Sequence, residues 1–202
     1  MSDKKSPFKA DLLRFYMIEF NASKLSLGQK ICLWLAYNGF HCVAIYRFGQ
    51  FTQRIRTKNK LLALPFIILQ KILTFFMATI YHVHIYADIG PGFYIGHVGT
   101  IYIGPSKIGE NFTITHNITI GVGHARGSEG IPQIGRNVWI GTGSVVSGAI
   151  TVGDNVTISN GTMLSRSVPD GCLVGGNPGR VILQNYDNRE LLALPPSDNQ
   201  PD

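Results

Sequence analysis

Cysteine is scarce in this 202-residue chain. Cys32, Cys42 and Cys172 are widely spaced and odd in number, matching neither a disulfide framework nor a zinc-ligand pattern. That usage suits a reducing, cytoplasmic compartment. The opening stretch MSDKKSPFKADLLRFY lacks the apolar core and cleavage site of a secretory signal. Acids are also few at the start. Residues 1–60 carry eleven Lys and Arg against three acids, net +8, while 61–202 carry seven against nine, net −2. A basic first third suits an anionic surface such as lipid head groups at the inner face of the cytoplasmic membrane. No nucleic-acid partner is expected, because neither a recognition motif nor basic–aromatic interleaving accompanies the charge.

What the chain does have is a period. Val83, Ile89, Ile95 and Ile101 stand six apart, and one extra residue precedes Ile108, Ile114 and Ile120. Eight more precede Ile134, Ile140, Val146, Val152, Ile158 and Leu164. Thirteen such repeats are the signature of a β-helical solenoid. The fifth position of each repeat (Val138, Ser144, Val156, Thr162, Val168) is small or β-branched, which suits a short flat strand. Three repeats make a triangular coil, so about four coils are expected, stacked about 4.8 Å apart. Counting coils with the one-residue insertion puts His116 directly above His97, and Thr142 and Asn160 continue the column. Spacing alone leaves the handedness open.

Three regions follow from this pattern: helical residues 1–81, a solenoid at 82–183 and a tail at 184–202. Residues 8–57 read as helices, with a break at Asn21 and one long helical stretch from Ser26 towards Gln53. Arg54, Arg56, Lys58 and Lys60 form a basic run, and residues 61–81 are apolar almost throughout. That stretch is long enough to span a bilayer, but Pro65, Gln70 and Lys71 weigh against a span. A pair of buried helices at the base of an oligomer is the preferred reading, with peripheral membrane contact as the alternative. Residues 184–194 are expected to form a short helix.

The solenoid with its ending Gly175-Gly-Asn-Pro-Gly-Arg-Val-Ile182 resembles the hexapeptide-repeat acyltransferases. Gly39-Phe40-His41 with Tyr46-Arg47, and residues 89–104 (IGPGFYIGHVGTIYIG), narrow the resemblance to the serine acetyltransferase-like branch. The basic and apolar stretch at 50–81 is similar in general character to relatives that O-acetylate bacterial polysaccharides or their precursors. The resemblance covers residues 8–183. It implies a mainly β fold, a left-handed parallel β-helix with an N-terminal α-helical region. It also implies a homotrimer with active sites between neighbours, acetyl-CoA as donor substrate and no metal.

Acetyl transfer from a thioester to a hydroxyl needs a base to take the proton as the oxygen attacks. It also needs a donor for the tetrahedral oxyanion. Histidine suits the first role, with an unperturbed pKa of about 6.5. By resemblance His97 is that base. His82 stands where serine acetyltransferases carry an aspartate, and either it, Asp88 or a backbone carbonyl orients His97. His116 shares the polar groove or merely lines it. The pantetheine arm of acetyl-CoA would lie beside Thr142-Gly143 and Asn160-Gly161, with Arg180 near the phosphates. His124 and Arg126, in the loop between Ile120 and Ile134, are the candidate acceptor contacts.

Four departures from serine acetyltransferases bear on the acceptor. Gly96 replaces the acid that holds the serine amine, and Gly130-Ile131 replaces an Arg-His pair for its carboxylate. The helical region is shorter, and the tail ends in Pro-Asp, not in an apolar docking terminus. An amino acid's charges would go unpaired, at a cost of several kcal/mol. The expected acceptor is therefore a saccharide hydroxyl, with L-serine as the alternative. A remote alternative is a trimeric metalloenzyme of γ-carbonic-anhydrase type using His97, His116 and His124. A non-catalytic scaffold is the last option.

Overall fold

The computed structural model describes residues 6–123 and 129–194. Four helices precede a three-sided parallel β-helix: α1 (Pro7–Phe20), α2 (Leu27–Ala36), α3 (Asn38–Lys58) and α4 (Lys60–Ile80). Asn21 ends α1 in the left-handed conformation, as its short amide side chain permits. Ser26 opens α2 with a reciprocal capping box to Gln29. The long stretch expected from Ser26 is two helices, because the chain turns at Tyr37 to bring α3 onto the solenoid. The apolar run is likewise one helix and not a pair. Asn59 accepts from the backbone N–H groups of Leu61 and Leu62 and starts α4 there, antiparallel to α3.

The prism has five coils, not four. Its first face stacks strands Val83–Ile85, Ile101–Ile103, Thr119–Gly121, Val145–Ser147 and Met163–Leu164. The second stacks Asp88–Ile89, Lys107–Ile108, Gln133–Ile134 and Thr151–Val152, with Val168 bridging to Val152. The third stacks Tyr94–Ile95, Thr113–Ile114, Trp139–Ile140, Thr157–Ile158 and Leu173–Gly175 in parallel, closed by the antiparallel strand Arg180–Leu183. The fifth coil escapes the six-residue count because one corner, between Leu164 and Val168, is two residues shorter, so Ile158 pairs with Val174, sixteen residues on.

Each face turns two residues inward, two apart in sequence, and this corrects the frame of the first coils. Ile103, not Ile101, pairs with Ile120, and Val83 pairs with Ile101. Val83 and Ile101 therefore belong to the second inward column, with Ile118, Ser144 and Thr162, all buried. The corner after Ile95 is two residues longer than its counterpart after Ile114, and the following corner is short. The totals match while the register in between does not. At the second–third edge, Asn111, Asn137 and Asn155 take φ near +55°. Their side chains form a ladder, Asn111 Nδ2 donating to Asn137 Oδ1 and Asn137 Nδ2 to Asn155 Oδ1, both at 2.8 Å. Residues 184–194 form turns rather than a helix and lie along this edge, where Asn188 donates to the Asn137 carbonyl.

The helices are fastened to the first coil through buried polar groups. Arg47 of α3 pairs with Asp11 of α1 at 2.6 Å and donates to the carbonyls of Ile89 and Gly90. Asp11 also accepts from the N–H groups of Gly92 and Phe93. The Tyr46 hydroxyl donates to the Ala87 carbonyl and accepts from Ile89 N–H. At Gly39 a Cβ would lie 2.0 Å from the Ile95 carbonyl oxygen, so only glycine lets α3 touch that strand. The motif Gly39-Phe40-His41 with Tyr46-Arg47 is thus a mounting that fixes the strand leading into His97.

Candidate active site

His97 follows Ile95-Gly96 out of the third face and is exposed. The register Ile95–Ile114 places His116 one coil above, with ring centroids 6.0 Å apart in an edge-to-face arrangement. Ile114 pairs with Ile140, and Ile140 with Ile158, so Thr142 and Asn160 extend the column. The backbone confirms the stacking: Gly143 N–H reaches the His116 carbonyl and Gly161 N–H the Thr142 carbonyl. From His97 to Asn160 is three coil steps, about 14 Å.

Beside the column, at the third–first edge, every coil needs a left-handed residue. His82, Thr100 and Asn117 fill it in the lower coils, and Gly143 and Gly161 in the upper ones, with φ of +74° and +68°. Apart from its chain neighbours, nothing stands within 4 Å of a Cβ built on Gly161, so no side chain from another coil crosses the upper edge there. The groove thus runs from two imidazoles upward along open backbone. Above it the closing loop returns, Gly179 N–H donating to the Met163 carbonyl, and Arg180 is exposed on the strand that follows.

His97 also lies in a cleft of about 350 Å³ with Phe15, Glu19, Tyr37, Asn38 and Gly39. Glu19 was not singled out from the sequence. The Tyr94 hydroxyl donates to its carboxylate. Burial and that carboxylate push the Tyr94 pKa well up, and burial together with Glu19 raises that of Tyr37. No periodicity marks Glu19, since it arrives on α1 from outside the repeats.

His82 lies on the same edge as His97, but both side chains are exposed, and nothing among the described residues joins the two rings. Asp88 faces a different groove, on the second face beside Lys107. His116 Nδ1 is buried without a partner among the described residues. His124 and Arg126 lie outside the described residues. The stem of their loop, Gly123 bridged to Gly130, stands at the first–second edge, a different corner of the prism from His97. Among the described residues no three His, Cys, Asp or Glu side chains converge on a point.

Residues 131–166 match the bacterial transferase hexapeptide (six repeats) family. Over 161 residues the chain is 37% identical to a serine acetyltransferase of Bacillus pumilus, a match covering 78% of this chain and 70% of that protein. Over 155 residues it is 36% identical to WcaB of Escherichia coli K12, an acetyltransferase named for colanic acid biosynthesis. That match covers 74% of this chain and 88% of that protein. The chain belongs to the hexapeptide-repeat acetyltransferases. The crystal structure of serine acetyltransferase from Brucella abortus strain S19 matches this acetyltransferase with a TM-score of 0.65 at 23% identity, over 88% of this chain and 68% of that one. The same enzyme in complex with coenzyme A matches with a TM-score of 0.60 at 22% identity, over 89% and 68%. The shared architecture is the left-handed β-helix with helices at its amino-terminal end.

Proposed function

We propose that this acetyltransferase moves an acetyl group from acetyl-CoA to a hydroxyl of a bacterial polysaccharide or its sugar precursor, with His97 as general base. The observation that carries the reading is the groove itself: an exposed histidine at the foot of a strip where Thr142 and Asn160 stand beside the open backbone of Gly143 and Gly161. His97 takes the proton as the acceptor oxygen attacks the thioester carbon. The C–O bond forms, the tetrahedral intermediate collapses, and the C–S bond breaks. The imidazolium then returns its proton to the leaving thiolate. Thr142, Gly143, Asn160 and Gly161 flank the pantetheine arm, and Arg180 meets the phosphates. The family resemblance supports a homotrimer in which a neighbour completes each groove.

A saccharide acceptor is supported by Gly96, which gives the cleft no charge from the strand beside His97. The match to WcaB also spans more of that protein than the match to the Bacillus pumilus enzyme does. L-Serine is the second reading, and Glu19 favours it, since among the described residues lining the cleft its carboxylate is the acid that would pair with an ammonium. Thiol release from acetyl-CoA with L-serine or a panel of oligosaccharides separates the two. A saccharide-dependent rate that falls about 10²–10⁴-fold in His97→Ala supports the first. An equally His97-dependent rate with serine alone overturns it.

A further inference from the structure

We propose that the outer face of α4, with the α3–α4 tip and the exposed side of α2, docks on an anionic lipid bilayer. The proposal stands whichever acceptor the enzyme uses. On a helical wheel Leu61, Leu64, Ile68, Ile72, Phe75 and Phe76 share one broad apolar arc, and each is 48–81% exposed. Leu69 and Ile80 extend it, and Lys71 sits at its margin. The opposite face is committed to the protein. Ala63 and Met77 are buried, Phe66 meets Phe48 and Phe51, and Gln70 packs against Gly49. Hence α4, although long and apolar enough to cross a bilayer, is held flat along α3. A helix so held presents a stripe to an interface and does not span it.

Two neighbouring features point the same way. An apolar groove of about 490 Å³ runs between the helices, lined by Trp34, Ile45, Phe48, Leu73, Phe76 and Ile80. Trp34 and its α2 neighbours Leu27, Ile31 and Leu35 are exposed beside it. Such aromatic and aliphatic groups suit the head-group boundary. The charge decides the occupant. Residues 20–87 contain eight Lys and Arg and no Asp or Glu at all, and among the described residues only Arg47 of the eight is spent on an internal partner, Asp11. Arg54, Arg56, Lys58 and Lys60 gather at the tip where α3 turns into α4. A second copy of the chain would bring the same unrelieved positive charge to the contact, with no acid on this segment to meet it. Anionic head groups supply the missing sign.

Co-sedimentation of the full chain with vesicles tests this. Phosphatidylcholine vesicles containing phosphatidylglycerol are expected to bind it, and phosphatidylcholine alone far less. Replacing Arg54, Arg56 and Lys58 by Gln lowers affinity for the anionic vesicles about 100-fold, from about 1 kcal/mol per cation near the surface. Ile72→Asp abolishes binding without changing the mass measured by light scattering or the melting temperature. With Trp139→Phe as background, brominated lipid quenches the remaining Trp34 fluorescence. Equal binding to both vesicles, no binding to either, or a smaller particle in Ile72→Asp overturns the proposal, the last in favour of a second copy as occupant.

Discussion

Asp11→Ala is the most direct probe of how the helices hold the active-site strand. The Asp11 carboxylate accepts from Arg47 Nε at 2.6 Å and Nη2 at 3.1 Å. It also takes the Gly92 and Phe93 N–H groups, each at 2.8 Å. Burial pushes its pKa up, against the downward pull of Arg47 and the two N–H groups. Truncation leaves a buried guanidinium without its counter-charge and two N–H groups without acceptors. Breaking a buried pair from one side costs about 3–5 kcal/mol. The orphaned donors add to this but overlap with it, so about 4–5 kcal/mol is expected overall. For a chain of this size that is about 10–15 °C in melting temperature, read by circular dichroism. Asp11→Asn keeps the shape and loses less. Asp11→Leu with Arg47→Met removes both charges and recovers part of the loss, a coupling that a double-mutant cycle measures. Because the corner at 89–93 leads directly into His97, acetyl transfer by Asp11→Ala falls even below its melting point. Melting within about 2 °C of the parent, with unchanged turnover, would refute the reasoning.

Two further outcomes follow from the solenoid and its helices. Asn137→Gly keeps the left-handed backbone but breaks the amide ladder on both sides, and should cost about 1–3 kcal/mol in denaturant unfolding; no loss would mean the ladder is ornamental. Burial pushes the Cys42 thiol up to about 12. Between the ordinary thiol pKa and that value the folded state keeps a proton that the unfolded chain releases, so this group's contribution to stability falls as pH rises from about 9 to 12. Cys42→Ala should flatten that part of the stability–pH curve, and an unchanged slope counts against the assignment.

Much of this molecule was legible because a solenoid writes its geometry in its spacing. The column from His97 through His116 and Thr142 to Asn160 needs only the coil length, and the structure stacks it so. The first-face register was not legible. Val83 and Ile101 are as apolar as Ile85 and Ile103, and both pairs point inward, so the sequence offers no preference between frames two residues apart. The extra residues after His97 are hidden by the short corner that follows. The asparagine ladder had a signal, Gly-x-Asn recurring at 109–111, 135–137 and 153–155, which reading only the glycines passes over. Glu19 had none. Its place beside His97 depends on how α1 is clamped through Asp11, a contact made across 81 residues of chain. The split at Tyr37 had a signal, the turn-forming pair Asn38-Gly39, which reading Gly39 only as part of a family motif passes over.

The closing strand Arg180–Leu183 runs against the direction of every other strand on its face. A stack of parallel coils offers open hydrogen-bonding groups at each end, and like ends invite endless growth. Here one end carries a strand of the wrong polarity to template another coil, and the other is roofed by α1, α3 and α4. Neither pole therefore offers the parallel strand edges on which the coils of another copy could continue, and fibre-like growth coil upon coil is disfavoured.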